Sequence, residues 1–412
     1  MSFLGYDFMR FLRLFFTPYY IYVLATLMLS SCIDDYELPQ TETEPYVVVY
    51  GEIVSERDCL FRLRSSMSLG SSLSMYHYIP NAHISVMGTD GQCFDSSPVE
   101  GQQGTYTVPV GKLDPSCQYY ARINTPYGTF ESEPMQPLDA PDIVEVMYEQ
   151  PHDDKTVDLL VSTDDPHRSV CLLWRIEDFW EIRTPYVAHW EYRPDKAWDG
   201  SGEFVQLTPD EYTNHGWRHA NDVASFLSNE SYGCGAILHH CILQRANTSH
   251  RLRNRCCSRV HQMAITREEY EFHYLQQTLT TDVGGLFSRM PSELPTNIHR
   301  VESAMNPVSG SSSSYWTDNI AAQAIGYVGV RGYVSTEDIY INGSDIGYRN
   351  PGSPSYVPEE KVSSPFQMYI QGYRVVDYTE EKTYWTRCQW VDYRSEDWGG
   401  GEALDSKPEW WE

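Results

Sequence analysis

The 412-residue sequence predicts a mainly β protein, with an N-terminal immunoglobulin-like β-sandwich followed by a larger β-rich domain with one or two short helices. Aromatic residues make up 14% of the chain, including 31 Tyr, and aromatic side chains favour strands. The 27 Gly and 24 Pro residues suit many turns between short strands. Short segments in which apolar and polar residues alternate recur along the chain, which is the pattern of half-buried strands.

The alternating segments are densest in residues 45–139, the predicted sandwich. They are residues 46–54, 59–64, 82–87, 105–110, 117–124 and 129–132. Strands of this length and spacing are typical of a sandwich of about 100 residues. Three prolines between residues 134 and 141 mark the predicted boundary with the second domain, residues 140–412.

Strand character resumes in the second domain. The segments are residues 143–148, 156–162, 325–334, 337–341, 367–376 and 383–391. Residues 170–182 form a long aromatic stretch, and we expect its Trp174, Phe179 and Trp180 to lie in the core because the surrounding sequence is apolar.

Two capping boxes predict helices in the same domain. The first, residues 208–211 (TPDE), also places Pro at the first helical position, and Gly216 limits that helix to about two turns. The second, residues 266–269 (TREE), precedes Phe272, Leu275 and Leu279 at helical spacing. The sequence therefore predicts a helical insertion at about residues 266–282.

The chain is strongly acidic, with 57 Asp and Glu against 30 Lys and Arg and a net charge of −27. A nucleic-acid-binding protein needs a basic surface, so this class is excluded as a partner. The same charge opposes non-specific adhesion to anionic lipid.

The N-terminus predicts a lipoprotein signal peptide over residues 1–31. Arg10 and Arg13 precede an apolar run of 16 residues, 14–29, which is shorter than the roughly 20 residues of a membrane-spanning helix. The run ends in Leu29-Ser30-Ser31-Cys32, which resembles a bacterial lipobox. We therefore predict that acyl chains such as palmitate attach at Cys32 and hold the protein to the membrane. The alternative is an ordinary membrane helix with a chance cysteine.

An acidic tether follows, predicted over residues 32–44. Its Asp34, Asp35 and Glu37 resemble the surface-export signal of Bacteroidota lipoproteins. The alternative is a solvated linker without a signal. We expect an outer-membrane, lipid-anchored protein at the cell surface.

The sequence contains no zinc-protease helix, no nucleophile elbow and no phosphate-binding loop. We therefore predict no catalytic residues, no cofactor and no enzymatic activity. The densest group of soft ligands is Cys234, His239, His240, Cys241, Cys256 and Cys257, with His261 nearby. This group predicts a metal site, a disulfide such as Cys234–Cys241, or buried free thiols; Cys256 and Cys257 would point to opposite faces of a strand.

Two further residue sets are candidates for binding. Arg245, Arg251, Arg253, Arg255 and Arg259 form a basic island. In a strand, residues 251, 253, 255 and 259 would share one face, which could meet an anionic partner such as lipid A phosphates. The alternative is that the arginines pair with the surplus carboxylates. Trp190, Trp198, Trp217, Trp316, Trp410 and Trp411 could stack on sugars or contact a partner, or pack in the core.

The sequence resembles the Bacteroidota lipoprotein family catalogued as domain of unknown function 4249. The matching segments are residues 47–53 (VVVYGEI), 80–86 (PNAHISV), 90–91, 104–106, 126–132, 174–181 (WRIEDFWE), 185–186, 268–270, 284–287 (GGLF), 291, 297–298, 325–327 and 407–410 (KPEW). The resemblance implies an outer-membrane lipoprotein of a kind often encoded beside TonB-dependent transporters, and it transfers no catalytic residue.

Together these features predict a non-enzymatic accessory or binding subunit that works alongside a TonB-dependent transporter or another outer-membrane barrel. Two alternatives remain open: a glycan-binding lipoprotein that uses exposed Trp and Tyr, and a structural subunit of a surface appendage.

Overall fold

A computed structural model describes residues 46–65, 77–151, 155–195, 200–281, 296–301, 324–350, 358–359, 364–379 and 383–411. These residues form 24 strands and two α-helices, so the predicted mainly β fold class is confirmed. No helix within the described ranges is long and apolar enough to cross a membrane.

The strands are β1 (Val47–Val54), β2 (Asp58–Ser65), β3 (His77–Tyr78), β4 (His83–Gly88), β5 (Cys93–Asp95), β6 (Ser97–Pro98), β7 (Thr105–Pro109), β8 (Tyr119–Thr125), β9 (Gly128–Ser132), β10 (Ile143–Glu149), β11 (Thr156–Thr163), β12 (Cys171–Arg183), β13 (Trp190–Pro194), β14 (Gly202–Gln206), β15 (His215–Ser228), β16 (His240–Ala246), β17 (Arg255–Ile265), β18 (Ile298–Arg300), β19 (Ala324–Arg331), β20 (Ser335–Asn342), β21 (Pro358–Glu359), β22 (Tyr373–Tyr378), β23 (Thr383–Arg387) and β24 (Glu402–Leu404). The helices are α1 (Arg267–Thr281) and α2 (Pro365–Ile370).

The N-terminal region is a sandwich of two sheets. Sheet A has the order β19-β1-β2-β7-β6 with β3 paired to β2, and sheet B has the order β18-β9-β8-β4-β5. Alternate residues of both sheets fill the core between them, including Val49, Phe61, Leu63, Ile84, Ala121 and Phe130. Because these residues recur with period two, every strand predicted within residues 45–139 is found, and only the short β3, β5 and β6 were missed.

Two strands of this sandwich come from much later in the chain. β19 pairs in parallel with β1, and β18 pairs with β9. Gly326 allows the close approach of β19, since its φ is +138° and a Cβ there would lie 2.1 Å from the carbonyl oxygen of Val49. The domain boundary at residue 139 stays a prediction, but the sheets of the sandwich extend across it.

The proline-rich segment at the predicted boundary runs along β19. The Leu138 amide donates to the carbonyl of Val330 at 3.3 Å, and the Ala140 amide donates to that of Tyr333 at 3.1 Å. This segment is therefore tied to the sandwich by backbone hydrogen bonds.

The second region is built around β12. Sheet D has the order β20-β17-β12-β15-β24, and sheet C has the order β10-β11-β16. Trp174 and Trp180 are fully buried, and Phe179 is buried as well, so their predicted place in the core is confirmed. The indole N–H of Trp174 donates to Gln262 Oε1 at 2.8 Å, and that of Trp180 donates to the carbonyl of Trp398 at 2.9 Å.

The two helix predictions had different outcomes. α1 begins after Thr266 as predicted, with Thr266 Oγ1 accepting from the Glu269 amide at 3.1 Å. The first capping box forms only a 3₁₀ turn, Pro209–Glu211, and the predicted two-turn helix is wrong. The reason is that β15 starts at His215, where it pairs with Arg183 of β12. Residues from 215 onward form part of the sheet and therefore cannot extend the helix.

One predicted strand is partly a helix. Residues 365–370 form α2, since Pro365 occupies the first helical position and Ser364 Oγ accepts from the Gln367 amide at 3.3 Å. Gly372, at a φ of +77°, then turns the chain into β22. The prediction of a strand from residue 367 is therefore corrected to a strand from residue 373.

Candidate binding sites

Sheet E carries a group of aromatic side chains that contact one another. Its order is β14-β13-β22-β23-β21. Tyr192 lies opposite Phe204, and Trp190 lies opposite Val375. Because alternate residues of neighbouring strands share a face, these side chains collect on one side of the sheet, where α2 also packs.

The rings on this face contact one another. Phe204 and Tyr378 lie 4.6 Å apart between ring centroids, and Trp190 meets Tyr378 edge-on at 5.4 Å. Tyr192 contacts Phe204 at 5.4 Å and, from α2, Tyr369 at 6.3 Å. These distances are those of stabilising aromatic pairs.

A crevice between α2 and sheet E leaves a free volume of only about 10 Å³. It is lined by Tyr192, Phe204, Pro365, Met368, Tyr369, Tyr373, Val375, Thr383 and Trp385. This space does not hold a sugar ring. The rim is more open, since Tyr369 is 37% and Ile370 is 61% exposed, so the site offers a stacking surface at its edge and no enclosed pocket.

A wider cleft, of about 340 Å³, lies where α1 begins. Its wall includes Arg168, Ser169, Glu230 and Arg267. Arg267 pairs with Glu230 at 3.1 Å, and Glu230 also accepts from Ser169 at 3.2 Å. The charge of Arg267 is therefore offset within the cleft by Glu230.

The predicted cysteine and histidine cluster is spread over several surfaces. Cys234 lies in a turn, Cys241 is exposed, and His239 lies 3.6 Å from Glu145. Cys256 and Cys257 are fully buried on opposite faces of β17, as the strand geometry predicts. In the described ranges no three metal-ligating side chains come together, and Cys234 and Cys241 are both free thiols.

The histidines of this set lie in two different environments. His240 packs 5.3 Å from the Trp174 ring, and burial lowers the pKa of its imidazole. His261 faces Glu177, whose carboxylate also binds His219 at 2.9 Å. The bonds from His219 and His261 hold the pKa of Glu177 well below its usual range. Sequence reasoning missed this group, because the register that places these strands side by side leaves no local pattern.

The arginine island is largely paired within the molecule. Arg245 and Arg251 both bind the fully buried carboxylate of Asp178, at 2.5 and 2.9 Å. Arg259 binds Asp338 through two hydrogen bonds of 2.7 and 2.9 Å. Arg251 lies in a 3₁₀ turn and Arg253 directly follows it, so the strand face that was predicted for Arg251, Arg253, Arg255 and Arg259 is wrong for the first two. Of the island's five members, the structure places only Arg255 and Arg259 on β17.

The tryptophan candidates are mostly packed. Trp411 is only 5% exposed, and Trp410 meets Phe179 edge-on at 4.7 Å. Trp190 and Trp217 are half-buried. Trp198 and Trp316 lie outside the described residues, as do the predicted lipid site Cys32 and the predicted export residues Asp34, Asp35 and Glu37.

Solved structures show only weak similarity to this chain. A DUF4785 family protein from Legionella pneumophila has a TM-score of 0.18 at 7% identity, and the match covers 52% of each chain, about half the length of that protein. A structure of manganese lipoxygenase of Gaeumannomyces graminis with partial zonadhesin of Komagataella pastoris has a TM-score of 0.12 at 10% identity, covering 54% of this chain and 89% of the other. Neither similarity indicates a shared fold.

Comparison of the sequence with family profiles identifies the family of this chain. No protein of curated function matches the sequence. The profile of a family described as domain of unknown function (DUF4249) matches residues 33–319, well over half of the chain. The chain therefore belongs to the DUF4249 family.

Proposed function

We propose that this protein is an outer-membrane lipoprotein, displayed at the cell surface, that acts as a non-enzymatic binding or accessory subunit beside a TonB-dependent transporter or another barrel. The observation that carries the proposal is the lipobox-like sequence Leu29-Ser30-Ser31-Cys32. The family match begins at residue 33, directly behind that cysteine. This coincidence supports cleavage before Cys32, with residues 1–31 as a removable leader.

The fold supports a tethered binding role. β1 begins at Val47, soon after the acidic residues Asp34, Asp35 and Glu37. A folded sandwich on a short tether keeps its surfaces close to membrane partners, which raises their effective concentration.

The anchor is tested by substitution of Cys32. Cys32→Ala abolishes labelling by radioactive palmitate and moves the protein out of the membrane fraction, because several acyl chains are needed for stable anchoring. Cys93→Ala, which changes an exposed cysteine of the sandwich, is the matched control and stays labelled. Unchanged membrane retention of Cys32→Ala would refute the lipoprotein assignment.

Display at the surface is tested separately. Asp34→Asn with Asp35→Asn moves the protein to the inner leaflet and protects it from protease added to intact cells. The same change at the exposed Asp164 and Asp165 leaves protease sensitivity unchanged. Continued digestion of the first variant in intact cells would contradict the export role.

The partner is tested by affinity purification from detergent-solubilised membranes. A barrel protein in a stoichiometric amount supports the accessory role. Recovery of the lipoprotein without any stoichiometric partner, at all detergent concentrations that keep it folded, counts against it.

The rival function with a specific observation behind it is glycan binding. On the aromatic face of sheet E, the half-buried Trp190 contacts the half-buried Tyr378, and Tyr369 is exposed at the rim; aromatic rings stack on sugars. Polysaccharide in an affinity gel retards the migration of the wild type if this rival holds, and Trp190→Ala removes the retardation. Tyr333→Ala, at a position 50% exposed elsewhere, is the control.

A further inference from the structure

The cleft of about 340 Å³ at the start of α1, which we call the α1 cleft, has an apolar floor and a polar mouth. The floor residues are at most 8% exposed: Val170, Cys171, Ala264 and Ile265. The mouth residues are exposed: Arg168, Ser169, Glu230 and Arg267. Small-molecule sites occupy about 300–1,000 Å³ and combine an apolar lining with a few polar groups. The α1 cleft has the size and the lining of a small site of this kind.

A buried asparagine fixes the backbone at the mouth of the cleft. Asn229 is 0% exposed. Its Oδ1 accepts from the amide of Val170 at 2.9 Å, and its Nδ2 donates to the carbonyl of Arg168 at 3.0 Å. The backbone of Arg168 is therefore held in place before any ligand arrives, which lowers the entropy cost of binding.

The acid that lines the cleft is already engaged on both oxygens. Glu230 Oε1 accepts from Ser169 Oγ at 3.2 Å, and Glu230 Oε2 accepts from Arg267 at 3.1 Å. Arg267 also lies 3.5 Å from Glu271 of α1. Glu230 and Arg267 therefore largely satisfy each other, and neither is the main determinant of what the cleft binds.

Arg168 is the cation of the mouth that is left over. Within the described ranges of the chain, its guanidinium forms no ion pair with an acid. The nearby Asp165 is held by His167, whose ring nitrogen lies 3.2 Å away and whose amide donates to it at 2.8 Å. The charged residues that line the cleft are two cations, Arg168 and Arg267, against the one acid Glu230. The excess positive charge therefore lies at Arg168.

We infer that the α1 cleft binds a small organic carboxylate, with its apolar body on the floor and its carboxylate at Arg168. A guanidinium matches a carboxylate through two parallel hydrogen bonds. A phosphate monoester, with a charge of about −1.5 to −2, would exceed the single excess cation and be repelled by Glu230. This inference goes beyond the proposed function and does not depend on the lipid anchor.

The test is equilibrium dialysis of the full-length protein, purified in detergent, against three probes that share one apolar body. Naphthoate carries a carboxylate, naphthamide is its neutral counterpart, and naphthyl phosphate carries the larger charge. Micelles without protein correct for partition of the probes into detergent. We expect the protein to retain naphthoate more strongly than either of the other two probes.

Two variants are expected to change the affinity in opposite directions. Arg168→Gln weakens the binding of naphthoate about tenfold, because a charge-assisted hydrogen bond is lost, and leaves naphthamide unchanged. Glu230→Gln releases Arg267 and tightens the binding of naphthoate by a factor of about two to five. Arg57→Gln, at an exposed arginine that does not line the cleft, is the matched control and changes neither affinity. Loss of folding would not produce changes of opposite sign.

A third variant locates the binding. Ser169→Trp places an indole at the exposed mouth and abolishes the retention of naphthoate; unchanged retention would place the binding elsewhere and overturn the inference. Equal retention of naphthoate and naphthamide, an unchanged affinity in Arg168→Gln, or no retention of naphthoate refutes the carboxylate site. Stronger retention of naphthyl phosphate than of naphthoate overturns the assignment to a carboxylate.

Discussion

Two strand faces of this molecule carry similar residues in different surroundings. On β17, Arg255 and Arg259 flank the buried Cys257, and the rings of Trp410 and Trp411 cover them at 4.5 and 5.7 Å from the guanidinium groups of Arg259 and Arg255. On the outer side of β1 and β2, Leu60 and Arg62 are exposed, and so is Tyr50, which lies opposite Arg62.

The difference shows that the composition of a strand face does not decide whether it is available to a partner. The arginines of the basic island are close together in the sequence. Asp178, Asp222 and Asp338 nevertheless bind three of them. The arginines of β2 are fewer, but Arg62 remains exposed. What covers a face comes from distant parts of the chain.

The largest expected effect concerns the buried ion pairs behind the covered face. Asp178→Asn leaves Arg245 and Arg251 without their shared, fully buried carboxylate and lowers the free energy of unfolding by about 3–5 kcal/mol. Urea denaturation measures it. Asp338→Asn, which breaks the partly exposed pair with Arg259, is the control and costs below about 1 kcal/mol. Equal losses of unfolding free energy in the two variants would contradict the distinction between buried and partly exposed ion pairs.

Removal of the covering aromatic ring tests the covered face directly. Trp411→Ala lowers the free energy of unfolding by about 3 kcal/mol, because a buried indole is lost. It also exposes Cys257, a thiol whose pKa burial raises to about 12. Labelling with a thiol reagent and mass spectrometry follows this change, and Cys93 and Cys241, exposed in the wild type, label equally in both proteins. A Cys257 that stays unreactive would show that other side chains cover it.

A smaller effect on stability is expected at Glu177 of β12, which lies in the same sheet as β17. Its pKa is lowered by bonds from His219 and His261, so its contribution to stability is complete above its usual pKa, near pH 4.5. That contribution is lost as the pH falls through the lower pKa of the folded state. Glu177→Gln costs about 1–2 kcal/mol at pH 7 and flattens the decline of stability in acid. An unchanged acid dependence of the unfolding free energy would contradict this role.

The smallest effect is expected at the exposed Tyr50, on the outer side of β1. Tyr50→Ser changes the free energy of unfolding by less than about 0.5 kcal/mol, because Tyr50 is 48% exposed. Thermal and urea unfolding measure the change. A loss as large as that of Trp411→Ala would mean that Tyr50 is covered in solution, and the comparison between the two faces would then fail.

Local patterns explain the successful predictions. The strands of residues 45–139 were found because one side of each faces a core, which leaves period-two alternation in the sequence. α1 was found from Thr266 and Phe272, a cap and a buried apolar position. The second half of its predicted capping box did not form, because Glu269 turns inward to bind the buried Arg331.

Contacts between distant segments explain the failures. The pairing of β1 with β19 joins residues 47–54 to residues 324–331, and no local pattern encodes that register. The same holds for the ion pairs of Arg245 and Arg251 and for the histidines that meet at Glu177.

The sequence by itself determined the mainly β fold class, the first strands of the sandwich and the position of α1, because hydrophobic periodicity and helix caps act over a few residues. Only the tertiary structure decided which arginines are paired and which aromatic rings are covered. Those outcomes depend on strand register and on long-range packing, in which the free energy of each side chain is set by neighbours far away in the chain.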